Sequence, residues 1–133
     1  MAEFVFKDLI KKEGLQDKFY VESSATSTEE LGNPVYPPAK RELLRHGISC
    51  DGKYARQITR KDYEAFDFII GMDNANIRNM LRCFGADPLS KIKKLLDFTG
   101  SGGDVADPWY TGDFEATYRD VYNGCLALLK SIK

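Results

Sequence analysis

The stretch Phe66-Asp67-Phe68-Ile69-Ile70-Gly71-Met72 is apolar at every position but one. A strand with one wet face alternates polar and apolar residues, whereas a near-continuous run suits a strand covered on both faces, as in parallel sheets flanked by helices. Phe19 to Ser23 and Lys91 to Leu96 read as two further strands. The segments between them carry helical periodicity. Ala2 to Lys12 places Val5, Phe6, Leu9 and Ile10 on one face, with Gly14 as the stop. Pro38 opens a helix over Ala39 to His46 with Leu43 and Leu44 inward, and Thr59 with Asp62 opens a short one in capping-box style. Asp73 caps a helix carrying Ile77, Met80, Leu81 and Phe84. Asp113 caps a last one to Ile132, with Phe114, Tyr118, Val121, Tyr122, Cys125, Leu126 and Leu129 as its buried stripe. The expected fold is α/β, in three layers (α/β/α), with a small parallel sheet between helices. The pattern opens on a helix with no capping residue and no strand ahead of it.

One domain accounts for all 133 residues. Lys+Arg 19 against Asp+Glu 20 leaves a net charge of -1, which argues against a general nucleic-acid binder or a polybasic membrane-surface protein. An anion site here must be local. No apolar run approaches the roughly 20 residues of a membrane span, and Glu3 and Asp8 stand where a signal peptide would be basic and then apolar. The three cysteines, Cys50, Cys83 and Cys125, form neither a disulfide framework nor a metal-ligand set. The expectation is a cytoplasmic chain with no metal and no cofactor.

Asp107-Pro108-Trp109-Tyr110 is the most specific local feature. Pro108 stiffens the turn after Asp107, and a carboxyl group beside two rings is partly desolvated, which raises its pKa and suits it to act as a general acid. The competing reading is a loop aspartate whose neighbouring aromatics cover the edge of the core. Cys50 and Arg56 are separated by five residues, the spacing by which a phosphatase loop pairs thiolate and guanidinium. Tyr54 inside that loop, and Gln57-Ile58 where a helix should begin, favour chance, and Cys50 reads as structural. Thr99 to Asp104 lacks the Lys-Ser/Thr of a nucleotide loop, His46 reads as a helix-end cation, and Asp73 reads first as a cap.

Taken in order, Ala2 to Phe6, Glu22 to Ser27, Gly32-Asn33-Pro34, His46-Gly47-Ile48, Ala55 to Thr59, Phe66 to Asp73 and Asp107 to Tyr110 resemble the low-molecular-weight protein tyrosine phosphatases. That resemblance implies phosphotyrosine hydrolysis through a cysteinyl-phosphate intermediate, acting on a phosphotyrosine protein or a small phosphomonoester. It makes Asp107 the general acid, Trp109 and Tyr110 the wall for the substrate ring, and Ser23 part of a network supporting the phosphate loop. Glu29 and Lys53 fall where vertebrate members carry a wall aromatic and a network histidine.

The family sheet has four strands, and its first, central strand leads into a Cys-x5-Arg-Ser loop that holds the nucleophile. Neither is found in these residues, and Met1-Ala2-Glu3 align just after them. The resemblance therefore implies that roughly twenty residues of the family pattern are missing. It further implies that the chain alone is inactive and that the Phe19 strand lacks its neighbour. Four buried aliphatic side chains are worth about 6 to 12 kcal/mol, comparable with a domain's net stability of roughly 5 to 15 kcal/mol. The expected consequences are a destabilised or rearranged sheet, or one completed by another strand, as in self-association. A non-catalytic binding module, an arginine phosphatase and an arsenate reductase relative are the alternatives.

Overall fold

A computed structural model describes residues 1–26, 32, 35–100, 102–106 and 112–132. Along the chain run α1 (Ala2–Lys12), α2 (Pro37–Arg45), α3 (Arg60–Ala65), β1 (Ile69–Gly71), α4 (Asn74–Phe84), β2 (Ile92–Lys94), a 3-10 turn (Leu95–Thr99) and α5 (Phe114–Ile132). β1 and β2 pair in parallel, with Ile69 opposite Ile92 and Gly71 opposite Lys94. The main core, on one side of this sheet, joins Val5, Phe6, Leu9 and Ile10 of α1 to Leu43, Leu95, Val121, Cys125 and Leu129. On the other side Tyr63, Ile69 and Met80 form a smaller cluster with α3 and α4. The fold is thus α/β, a small parallel sheet between helices.

Local chemistry sets the helix boundaries. The Asp73 side chain accepts from the Asn76 N–H at 2.7 Å and caps α4, while Thr59 and Asp62 cap α3 reciprocally. Pro37 and Pro38 occupy the first turn of α2, where a missing N–H costs nothing, so the helix starts one proline earlier than the sequence suggests. Two expected inward residues turn out: Leu44 is 53% exposed and Tyr122 is 38% exposed. On α5 Leu128 joins the buried stripe and Leu126 is partly buried against the same core, because α5 packs against both α1 and the 3-10 turn and its buried face is wider than one seam.

The strands differ most from the sequence reading. β1 and β2 are three residues each, shorter than the segments read as strands. Phe19 to Ser23 is not a strand. Apolar pattern prepares a segment for a sheet, but only a partner backbone makes it one. Among the described residues its stretch of chain makes one isolated parallel bridge, Ala25 to Gln57, with Ala25 N–H donating to the Arg56 carbonyl at 2.7 Å. The segment is held instead by side chains: Phe19 packs edge-on against Phe6 at 5.9 Å, Tyr20 stacks on Phe66 at 5.8 Å, and Glu22 accepts from Arg56. Between it and β1 lies an apolar trough of about 320 Å³, walled by Phe19, Val21, Phe68, Ile70 and Leu128.

Behind β2, α5 and the 3-10 turn approach so closely that a Cβ on Gly124 would lie 2.5 Å from Leu95 Cγ. On an exposed helix Gly→Ala gains about 1 kcal/mol, but overpacking of this kind costs about 1 to 3 kcal/mol. Gly124→Ala is therefore expected to lower the midpoint of urea or thermal unfolding. An unchanged or raised midpoint would show that Leu95 yields freely.

Candidate active site

At the carboxyl end of β1, a cavity of about 530 Å³ opens where open α/β sheets commonly bind ligands. Met1, Ala2 and Glu3 from the first turn of α1 form one wall, Ser23 to Thr26 a second, and Met72, Asp73 and Asn76 a third. Asp73 is thus both the cap of α4 and a wall residue, because a helix that follows a strand in this fold begins at the sheet's carboxyl edge.

A polar cluster at this wall centres on Glu3, which is only 6% exposed. Its Oε1 accepts from the Ser23 hydroxyl at 2.6 Å, the Ser23 N–H at 2.9 Å and Lys53 Nζ at 2.9 Å, and its Oε2 accepts from Lys7 Nζ at 2.6 Å. Lys53 Nζ also donates to the Ser23 carbonyl at 2.8 Å. Burial opposes ionisation of Glu3, but the hydrogen bonds from Lys7, Ser23 and Lys53 outweigh it and hold its pKa down at about 2. Ser23 and Lys53, which the resemblance assigns to one support network, both reach Glu3 here.

Glu3, at the centre of this cluster, is the residue that the sequence did not reveal. As the second residue of an amphipathic helix it resembles an ordinary dipole-compensating acid, and its partners lie 20 and 50 positions away. The one available sign was a carboxylate in the first turn of a helix without a capping side chain.

Asp107, Trp109, Tyr110 and Glu29 lie outside the described residues. The chain leading to Asp107 is anchored: Thr117 Oγ1 donates to the Ala106 carbonyl at 2.8 Å, and Val105 N–H donates to the Met72 carbonyl at 2.9 Å. Asp113 caps α5 on the far side, its Oδ1 accepting from Ala116 N–H at 2.9 Å.

Cys50 and Arg56 do not form an anion loop. Cys50 is 3% exposed within the main core, and the Arg56 guanidinium is occupied by Asp62 through both terminal nitrogens and by Glu22 through Nε. Cys125 is also buried, and desolvation pushes its thiol up to about 12, which suits packing and not nucleophilic attack. His46 ends α2, where its Nε2 meets Glu42 Oε2 at 3.1 Å and its ring stacks on Tyr118 at 3.6 Å. Among the described residues no group of three or more His, Cys, Asp or Glu side chains is gathered as for a metal ion, and no helix is long and apolar enough to cross a membrane.

The family model described as low molecular weight phosphotyrosine protein phosphatase matches residues 1–133. The Bacillus subtilis low molecular weight protein-tyrosine-phosphatase YfkJ is 41% identical over 135 residues, covering 100% of this chain and 86% of that protein. Its crystal structure superposes with a TM-score of 0.94, over 98% of this chain and 84% of that one. A low molecular weight protein tyrosine phosphatase from Streptococcus pyogenes, 38% identical, has a TM-score of 0.87 over 99% of this chain and 83% of that one. The rat low molecular weight phosphotyrosine protein phosphatase is 34% identical over 98% of this chain and 85% of its own length.

Because the folded-state pKa of Glu3 lies below its ordinary value of 4.5, its contribution to stability is present in full above about pH 4.5 and is lost as pH falls through about 2. Glu3→Gln is expected to flatten the fall in unfolding free energy across that window, measured by urea unfolding at a series of pH values. Equal slopes in the two proteins would refute the assignment.

Proposed function

Since the chain belongs to the low molecular weight phosphotyrosine protein phosphatase family, we propose that it forms the greater part of a protein tyrosine phosphatase acting on phosphotyrosine proteins or small phosphomonoesters. A cysteine thiolate attacks phosphorus while Asp107 gives its proton to the departing phenolic oxygen. Asp107 then takes a proton from the water that attacks the cysteinyl-phosphate, releasing phosphate and thiolate. Trp109 and Tyr110 pack against the substrate ring, Glu29 stands on the opposite wall, and Ser23 with Lys53 supports the phosphate loop.

The observation that carries this reading is the convergence of Ser23 and Lys53, 30 positions apart, on Glu3 at the wall of the 530 Å³ cavity. Such a cluster supports a loop seated beside the first turn of α1.

The nucleophile and the phosphate-clamping arginine belong to a Cys-x5-Arg-Ser loop that these 133 residues do not contain, and Cys50 does not replace it. The same reading assigns the apolar trough beside β1 to a strand that completes the sheet, supplied by a preceding segment or by a second copy. The reaction belongs in the cytoplasm and needs no metal or cofactor.

Phosphotyrosine-peptide turnover separates these statements. The 133-residue chain is expected to release no phosphate. The same chain joined to the strand and Cys-x5-Arg-Ser segment of a family member is expected to turn over, with Asp107→Asn lowering kcat by about 10² to 10⁴-fold. Turnover by the 133 residues that Cys50→Ser abolishes would overturn the assignment of the nucleophile. A joined form inactive on phosphotyrosine would instead favour phosphoarginine hydrolysis, if it cleaves a phosphoarginine peptide, or a binding module, if it cleaves neither.

A further inference from the structure

We infer that Thr117 is a positioning residue for the general acid: its hydroxyl pins the peptide unit that joins Ala106 to Asp107 and so sets the direction in which the chain enters Asp107. The inference rests on the phosphatase reading above for the role of Asp107, and its geometry stands without it. A peptide unit is planar, so the Ala106 carbonyl and the Asp107 nitrogen move as one rigid plate. Thr117 Oγ1 donates to that carbonyl at 2.8 Å. The plate on the other side of Ala106 is held from the same helix, the Ala106 N–H donating to Asp120 Oδ2 at 3.4 Å. One residue earlier, Val105 is buried in the main core and its N–H donates to the Met72 carbonyl at 2.9 Å. Each residue has only two soft backbone dihedrals, so plates pinned before and after Ala106 leave its backbone little play.

Packing alone does not call for a hydroxyl here. Thr117 lies on the buried face of α5 and is only 5% exposed, a place where a valine of the same shape would fit with no polar atom to satisfy. A buried hydroxyl is unfavourable unless it is bonded, and it has one proton to give. Two acceptors are in reach, the Asp113 carbonyl one turn back at 3.3 Å and the Ala106 carbonyl at 2.8 Å. The Asp113 carbonyl already accepts the Thr117 N–H at 3.3 Å, and the shorter bond crosses from α5 to the stem that precedes Asp107. Thr117, Val105 and Ala106 all line the 530 Å³ cavity, so the pinned stem belongs to the wall of the site. Proton transfer requires the acid within hydrogen-bond reach of the departing oxygen, and a displacement of about 1 Å costs as much as about 10²-fold in rate.

Trp109, the single tryptophan, stands two residues beyond Asp107 and makes the test possible in the 133-residue chain itself. Thr117→Val is expected to speed exchange of the Val105 and Ala106 amides about three- to tenfold and to raise acrylamide quenching of Trp109, with Thr117→Ser restoring both to the parent's values. Gly124→Ala, two turns along the same helix, is expected to leave both unchanged. A Trp109 signal indifferent to Thr117→Val, or one that Gly124→Ala moves as far, would overturn the inference. In the chain joined to the family's strand and Cys-x5-Arg-Ser segment, Thr117→Val is expected to lower kcat/KM about tenfold or more on phenyl phosphate, whose leaving oxygen needs the proton. On 2,4-dinitrophenyl phosphate, whose leaving group departs without one, the loss is expected to stay within about twofold. Equal losses on the two substrates, or none on either, would also overturn it. Should Thr117→Val fail to fold, Asp120→Ala frees the other plate and must show the same dependence on the leaving group; an equal response to both substrates there refutes the inference. A joined parent that is inactive, or whose Asp107→Asn form loses no more on phenyl phosphate than on the dinitrophenyl ester, would sink the phosphatase reading of Asp107, and the amide and Trp109 measurements then decide alone whether Thr117 holds the stem.

Discussion

A single buried carboxylate joins three stretches of chain that no sheet ladder connects. Glu3 stands on the first turn of α1, Ser23 on the extended segment that follows, and Lys53 on the connector between α2 and α3, and all three meet within hydrogen-bond distance. Burying a carboxylate is unfavourable unless its acceptors are filled, and here two lysines and a serine fill them. The arrangement is therefore cooperative: removal of one member leaves a buried charge or a missing donor for the others. It also borders the cavity, which Glu3 and Ser23 line.

The sheet contributes less to the architecture than the helices do. β1 and β2 are three residues each, while α1 and α5 supply most of the main core and pack against the 3-10 turn after β2. The segment over Phe19 to Ser23 keeps its place through Phe6, Phe66, Arg56 and Glu3 and not through ladder bonds. Side-chain anchoring of this kind holds position while leaving the inner backbone edge to the trough. The cavity beside the Glu3 cluster and the apolar trough lie side by side, sharing Ala2, Glu3, Ile70 and Met72 as walls.

Helix positions and caps were legible because they depend on neighbours three or four residues apart. Asp73, the Thr59 and Asp62 pair, and the buried face of α1 all follow from local spacing. Leu44 and Tyr122 were misassigned to the interior because helical periodicity gives a stripe but not its width or its edge, which the neighbouring elements set. Phe19 to Ser23 read as a strand for a similar reason, since apolar alternation does not report whether a partner backbone is present. Cys50 reads as structural from the bulk of Tyr54 and the lack of a following helix, and the packing agrees: the thiol is buried in the core and the Arg56 guanidinium is taken by Asp62 and Glu22.

From the sequence alone came the fold class, the family resemblance and the places of the helices. Each of those rests on local pattern or on the ordered spacing of short motifs, which one dimension records. Only the tertiary structure made Glu3 the centre of that network, placed Asp73 on the cavity wall, set Gly124 against Leu95 and left Phe19 to Ser23 without a ladder. Those outcomes depend on distances between residues far apart in the chain. A carboxylate's surroundings, a close approach between two helical turns and the presence of a strand's partner are properties of the packed molecule, and no residue carries them by itself.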